Sequence, residues 1–194
     1  MLEESEPVPL FALKLLSSLT DRCRMYVEVV DKLGCFPTIL QFYQVGNKKL
    51  NQYTIKIIKN FVETPEVPFS TISGYKILEN TLEIIESMIA QKQDWCIDSL
   101  CNTLQALVNW LYAVQAEIIH SRTEEAGFNI EIEIQKLLEG VYLAIDLLSH
   151  WEITVVEKAA HCLYSMLSKF GSYKQLELSE GELSIIIDRL QLKN

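Results

Sequence analysis

The sequence is poor in the residues that interrupt helices and in the segments that direct a chain to a membrane. It has only seven glycines and five prolines among 194 residues, and 49% of its residues are apolar, which excludes disorder over most of its length. No stretch approaches the ~18–20 uninterrupted apolar residues of a membrane span. The acidic residues 1–6 lack the apolar core of a signal peptide. We therefore expect a short acidic tail followed by one folded, cytoplasmic domain over residues 7–194.

Basic side chains are outnumbered, with 17 Lys and Arg against 26 Asp and Glu and a net charge of −9 at pH 7. An acidic chain gains no counterion release from nucleic acid or from an anionic membrane, so we expect neither as a partner. The excess is uneven: residues 1–97 carry 10 basic and 12 acidic side chains, and residues 98–194 carry 7 and 14. The first half is therefore predicted to be the only place for a local basic patch.

The sequence also lacks the groupings that bind metals or carry catalysis. Its five cysteines are an odd number at no metal-binding spacing. His161 and Cys162 are adjacent and so point to different sides of a helix, and Cys96 and Cys101 do not share a helical face. No glycine-rich phosphate motif is present. We expect no enzyme activity, metal or cofactor, and we expect reduced, buried thiols.

Apolar residues recur at helical spacing, and no segment alternates with period two for long enough to form a strand. The predicted fold class is all-α, with about 7–8 helices. The predicted helical segments group into repeat fragments over residues 7–63, 70–118 and 130–171, and a last helix over 180–192 that begins with capping-box spacing. Residues 119–129 are polar without periodicity and are predicted to form a mobile loop.

One four-residue pattern recurs near the middle of the strongest helical segments. It consists of a Leu or Ile, any residue, a Ser or Asn, and a large apolar residue, and it occupies residues 16–19, 58–61, 107–110 and 163–166. Its spacings of 42, 49 and 56 residues are typical of helical-hairpin repeats with loops of variable length. Such repeats stack into a solenoid that presents a surface, so the pattern favours a protein-interaction scaffold.

Residues 31–63 resemble an armadillo repeat. Residues 34–40 are similar to the family's glycine-started second helix, residues 46–47 match its turn, and residues 50–63 match its long third helix, including its Asn at Asn60. Beyond residue 70 the helices are longer and only two per unit, which is more similar to HEAT repeats. The resemblance implies a right-handed helical solenoid.

In that register residues 10–22 form a third helix without its first two, so we expect the chain to be a piece of a longer solenoid that packs against neighbouring repeats of its parent. Residues 6–16 are also similar to the C-terminal armadillo region of Fused-type and unc-51-like kinases and pseudokinases. That resemblance implies a non-catalytic region linked to cilia, microtubules or Hedgehog-type signalling. No kinase sequence motif is present.

The armadillo resemblance also implies a groove. In the family, the Asn of the third helix hydrogen-bonds the backbone of an extended peptide, because a carboxamide offers both a donor and an acceptor. Positions four before, at, and three after the Ser or Asn of each pattern share one helical face. They are Lys14, Ser18 and Asp21; Lys56, Asn60 and Glu63; Gln105, Asn109 and Tyr112; and His161, Ser165 and Ser168. All except Asp21, Glu63 and Ser168 are candidate partner-binding residues.

Two alternatives remain open. The polar stripe is also what the solvated face of any amphipathic helix looks like, and the mean hydropathy of +0.13 also fits a self-associating helical bundle. If the stripe is a groove, Lys14, Lys56, Gln105 and His161 stand where importin-type peptide binders have Trp, so recognition of an import signal is not expected. Lys14 and Lys56 instead favour an acidic segment. Asn60 and Asn109 are predicted to be exposed, so their replacement by Ala should leave folding nearly intact.

Overall fold

The computed structural model describes residues 7–43, 47–121, 129–173 and 176–191. These residues form ten helices and no strand: α1 (Pro7–Arg22), α2 (Arg24–Lys32), α3 (Phe36–Leu40), α4 (Lys48–Val62), α5 (Phe69–Gly74), α6 (Ile77–Ala90), α7 (Ile97–Ser121), α8 (Ile130–Leu147), α9 (Ile153–Phe170) and α10 (Glu180–Gln191). The all-α prediction is confirmed. The predicted 7–8 helices are too few, because helices of one or two turns, such as α5, are too short to show a periodicity.

Local capping signals fix where several helices begin. The side-chain oxygens of Asn47 and Asn129 each accept hydrogen bonds from the backbone N–H groups two and three residues later, at 3.0–3.3 Å, at the starts of α4 and α8. At α10 the Glu182 carboxylate accepts from the Ser179 N–H at 2.6 Å, and the Ser179 hydroxyl accepts from the Glu182 N–H at 3.3 Å. The predicted capping box is thus confirmed.

The helix ends follow equally simple rules. Gly34, with a φ of +65°, directly follows the C-cap of α2, where a left-handed residue favours glycine. Helix α7 continues through Ser121, so the first part of the predicted loop over 119–129 is helical. Residues 122–128, the acidic tail over 1–6 and the turn residue at 46 lie outside the described residues.

The helices are arranged in two rows, which we define by their contacts. In the first row α1 contacts α4, α4 contacts α7, and α7 contacts α9. The second row contains the other helices, α2, α3, α5, α6, α8 and α10. Helix α2 lies against α1 and α4, α5 contacts α6, α6 contacts α8, and α8 contacts α10. Tyr43, just after α3, shares a buried hydrogen bond of 2.6 Å with Thr81 of α6. The rows meet through pairs such as α6–α7 and α8–α9.

The last two helices of the first row, α7 and α9, run in the same direction. Hydrogen bonds join Asn102 to Lys158 early in α7 and α9, and Asn109 to Lys169 later in both helices. Because residue numbers rise together along both helices, α7 and α9 are parallel. A parallel pair within one row requires the chain to return through the other row, which is what α8 does.

The core lies between the two rows. Phe61 of α4 is fully buried, and its ring stacks on that of Phe36 with centroids 3.9 Å apart. Ile57 and Ile58 of the same helix are also fully buried, so the apolar face predicted for this helix is confirmed. Gly140 of α8 faces α6 so closely that an added Cβ would stand 2.7 Å from Leu82 Cδ2.

Candidate functional site

The first row brings the four predicted polar stripes onto four successive helices, α1, α4, α7 and α9. Among the predicted binding residues, Lys14, Ser18, Lys56, Asn109, Tyr112 and His161 are exposed, Asn60 and Gln105 are half-buried, and Ser165 is buried. The stripes therefore lie on adjoining helices of one row. The structure nevertheless divides them into two parts that differ in how many of their polar atoms are already bonded.

The part between α1, α4 and α7 contains a cavity of about 360 Å³. Its lining includes Lys14, Ser18 and Asp21 from α1, Lys56 and Asn60 from α4, and Asn102 from α7. Five of these six residues belong to the predicted stripes. The volume and the mixture of charged groups and amides fit one or two side chains of a bound segment.

The cations of this cavity differ in their pairing. Lys59 forms a salt bridge of 2.9 Å with Glu63, one turn later on α4. Lys14 and Lys56 form no salt bridge with any carboxylate of the described residues. Their ammonium groups are exposed and remain available to an anionic ligand.

The amides in and around the cavity are oriented by neighbouring helices. Asn60 donates its side-chain N–H to the Thr20 hydroxyl at 2.9 Å, which leaves the Asn60 carbonyl oxygen as an acceptor. The carbonyl oxygen of Asn102 accepts from Lys158 at 2.9 Å, which leaves the Asn102 amide nitrogen as a donor. The prediction that Asn60 is exposed is wrong, because this contact with α1 half-buries it, whereas Asn109 is exposed as predicted.

The part between α7 and α9 is closed by its own hydrogen bonds. Gln105 donates to the Ser165 hydroxyl at 3.1 Å and to the Asn109 carbonyl oxygen at 3.3 Å, and its own carbonyl oxygen lies 3.1 Å from Nδ1 of His161. Lys169 donates to the Asn109 carbonyl oxygen at 2.5 Å. The predicted residues are brought together here, but they bind one another.

Lys169 also lies over an aromatic ring of the same stripe. Its ammonium nitrogen is 5.0 Å from the centroid of the Tyr112 ring, which is a cation–π distance. Partial burial lowers the pKa of the Lys169 ammonium. The face of the Tyr112 ring is therefore already in contact with the Lys169 ammonium group.

The structure corrects the expected distribution of charge. Lys158 and Lys169, from the acidic second half of the sequence, join Lys14 and Lys56 on the first row, so the basic surface is not confined to the first half. The first-row helices carry eight Lys and Arg against four Asp and Glu, whereas the second-row helices carry four against twelve. The two rows thus differ in the sign of their charge.

Sequence reasoning missed four residues that shape the site: Thr20, Asn102, Lys158 and Lys169. A signal for two of them was present. Asn102 lies two helical turns before Asn109, and Lys169 lies one turn after Ser165, so extending each stripe by one or two turns would have included both. Thr20 is different, since its role depends on a contact between two helices.

Most groups that could carry other chemistry are separated or buried. The expectation of buried thiols is correct for Cys101 and Cys162 but wrong for Cys23 and Cys35, which are exposed. His161 is exposed and Cys162 is buried, so the prediction that they point to different sides is confirmed. Cys162 donates to the Cys101 carbonyl oxygen at 3.1 Å, and burial raises the pKa of the Cys162 thiol to about 12. Within residues 7–43, 47–121, 129–173 and 176–191, no group of three or more His, Cys, Asp or Glu side chains is placed to hold a metal ion.

Comparison with family models, curated proteins and solved structures found no match to this chain. No helix among the described residues is both long and apolar enough to cross a bilayer.

Proposed function

We propose that this chain is a non-enzymatic protein-interaction scaffold of armadillo/HEAT-type helical repeats, whose first row binds an extended, acidic segment of a partner protein. The observation that carries the proposal is the placement of four predicted polar stripes on adjoining helices of one basic row. A row built in this way offers a continuous surface rather than a single closed pocket.

The available atoms suit a peptide with acidic side chains. Lys14 and Lys56 supply two ammonium groups without a salt bridge against the single carboxylate of Asp21 in the same lining. The Asn60 carbonyl oxygen can accept from a peptide N–H, and the Asn102 amide can donate to a peptide carbonyl. Each exposed ion pair contributes only about 0.2–1 kcal/mol. Binding therefore depends on several such contacts along the row, with the charge of the row also accelerating encounter.

The size of the row sets the length of the segment. Packed helices lie about 8–10 Å apart, so the three steps from α1 to α9 span roughly 24–30 Å. An extended peptide advances about 3.3 Å per residue, so a segment of about seven to nine residues covers the row. Because the α7–α9 part is closed by internal hydrogen bonds, we expect the α1–α4–α7 cavity to contribute most of the affinity.

Fluorescence anisotropy tests this proposal with three labelled peptides of about nine residues that share one Gly/Ser background and carry either Glu, Gln or Lys. The Glu peptide is expected to bind best, and more weakly as salt is added. Exchange of Lys14 and Lys56 for Gln should weaken it roughly 2- to 30-fold, from two ion pairs of about 0.2–1 kcal/mol each.

The matched control exchanges Lys32 and Lys76 for Gln, which removes the same charge from exposed positions outside the first row. If the control variant loses as much affinity as the Lys14/Lys56 variant, attraction is a property of net charge and the groove is refuted. Equal binding of the Glu and Lys peptides would refute the acidic preference.

We also propose that the protein localises to cilia or microtubules, on grounds independent of the peptide-binding surface. This proposal rests on the similarity of residues 6–16 to the C-terminal region of Fused-type and unc-51-like kinases. Imaging of the tagged protein against axonemal and cytoplasmic tubulin in ciliated cells tests it, and a uniform distribution without enrichment at either structure would contradict it.

A further inference from the structure

The N-terminal end of the two rows exposes an apolar surface, which we call the head face. On α1 three apolar side chains follow one helical stripe, with exposed fractions of 76% for Val8, 66% for Phe11 and 60% for Leu15. On the adjoining helix α2 a second stripe is formed by Met25 at 57% and Val29 at 41%, and Leu33, directly after the helix, continues it at 71%. Contiguous exposed apolar patches of this kind mark interaction surfaces.

The C-terminal end of the rows exposes a similar surface, which we call the tail face. On α9 one stripe is formed by Ile153 at 63%, Tyr164 at 71% and Leu167 at 40%. On α10 Leu183 is 44% and Ile187 is 49% exposed, again at the spacing of one helical face. Each end of the molecule therefore presents one helix from each row.

The packing of the first row shows what such stripes do. Helix α4 is contacted on two sides by α1 and α7, and α7 by α4 and α9. Within the row, α1 and α9 each have only one such neighbour, and each leaves an apolar stripe exposed. A helix laid against α1 would continue the packing that already joins α1 to α4.

The charges beside the two faces have opposite sign. Arg22 lies on the α1 stripe, seven residues after Leu15. Glu157 lies on the α9 stripe, four residues after Ile153, and Glu180 lies on the α10 stripe, three residues before Leu183. These side chains are exposed, and none forms a salt bridge with the described residues. The head face thus complements the tail face in both apolar pattern and charge.

We propose that the head face binds the tail face of a second copy of this chain. Helix α9 of one copy packs against α1 of the next, and α10 packs against α2, so both rows continue from copy to copy. The contact is heterologous, so an assembly that does not close into a ring keeps one free head and one free tail and grows as an open chain rather than stopping at a dimer. This proposal stands independently of the peptide-binding function.

Sedimentation velocity of the full chain, from low micromolar to submillimolar concentration, tests this assembly. The wild-type protein should form species that grow beyond the dimer as concentration rises, and added salt should weaken them. A head variant, Phe11→Glu with Leu15→Glu, and a tail variant, Tyr164→Glu with Leu167→Glu, should each be monomeric. An equimolar mixture of the two should form a heterodimer and nothing larger, because each partner keeps one intact face.

The control variant Ile132→Glu changes an apolar side chain that is 48% exposed on α8, outside both faces, and should assemble as the wild type does. Circular dichroism confirms that each variant is folded. The proposal is overturned if the wild type stays monomeric throughout, if either variant alone still dimerises, or if the mixture of folded variants contains only monomers. Dimerisation of one variant alone would indicate a symmetric contact through its intact face.

Discussion

The exchange Phe61→Ala should destabilise the protein strongly because Phe61 lies where the two rows meet. Its side chain is fully buried, and its ring stacks on Phe36 with centroids 3.9 Å apart and an interplanar angle of 30°. Phe36 is in turn held against Tyr75, with ring centroids 4.9 Å apart. Removal of the Phe61 ring therefore opens a cavity beside side chains that are already fixed by other neighbours.

The size of the effect depends on how far that cavity can collapse. Phe→Ala exchanges in cores cost about 3–5 kcal/mol, and the cost rises with the volume left empty. The aromatic pair adds roughly 0.5–1.5 kcal/mol beyond area burial. Because Tyr75 restrains Phe36, we expect a loss in the upper part of the range, about 4–5 kcal/mol. Phe61→Leu keeps most of the volume and should cost less than half as much.

Urea unfolding followed by far-UV circular dichroism measures these differences, provided that the m-values of the variants agree. Phe11→Ala is the matched control, because Phe11 is 66% exposed on α1 and its exchange should change stability by no more than about 0.5 kcal/mol. Equal losses for Phe61→Ala and Phe11→Ala would refute the assignment of Phe61 to the core between the rows. The control is measured at low concentration, since Phe11 also belongs to the proposed head face.

Two further predictions follow from buried polar groups. Asn60→Ala should lower the free energy of unfolding by about 0.5–1.5 kcal/mol, because it removes the 2.9 Å hydrogen bond to Thr20. A double-mutant cycle with Thr20→Val should show a coupling energy of similar size, and additive losses in the cycle would contradict the contact. In the native protein at pH 8, Cys162 and Cys101 should react with a thiol reagent at least ~100-fold more slowly than the exposed Cys23. Burial raises the pKa values of these two thiols and keeps the reagent from reaching them. Rapid labelling of all three cysteines would contradict the burial of Cys101 and Cys162.

Much of the fold follows from signals that act within one helix. The apolar period predicted helices within residues 7–63 and 130–171, where α4 and α9 lie, and capping chemistry identified the start of α10 from Ser179 and Glu182 alone. These signals are local, because a helix stripe and an N-cap involve residues no more than a few positions apart. Short helices such as α5 escape the same reasoning, since two turns contain too few apolar positions to define a face.

The division of the candidate site could not be predicted in this way. Asn60 meets Thr20 across 40 residues of sequence, and Gln105 meets Ser165 across 60. A helical period places each of these residues on a face of its own helix, but it does not determine which side chain of another helix that face will meet.

Similar polar stripes therefore differ in whether their polar groups are already bonded within the protein. Between α7 and α9 a ligand would have to replace existing hydrogen bonds, each of which has a net value of only about 0.5–1.5 kcal/mol but is costly to leave unmade. Between α1, α4 and α7 the ammonium groups of Lys14 and Lys56 have no carboxylate partner among the described residues, so the acidic segment that we propose as the ligand would break no salt bridge of these two lysines when it binds.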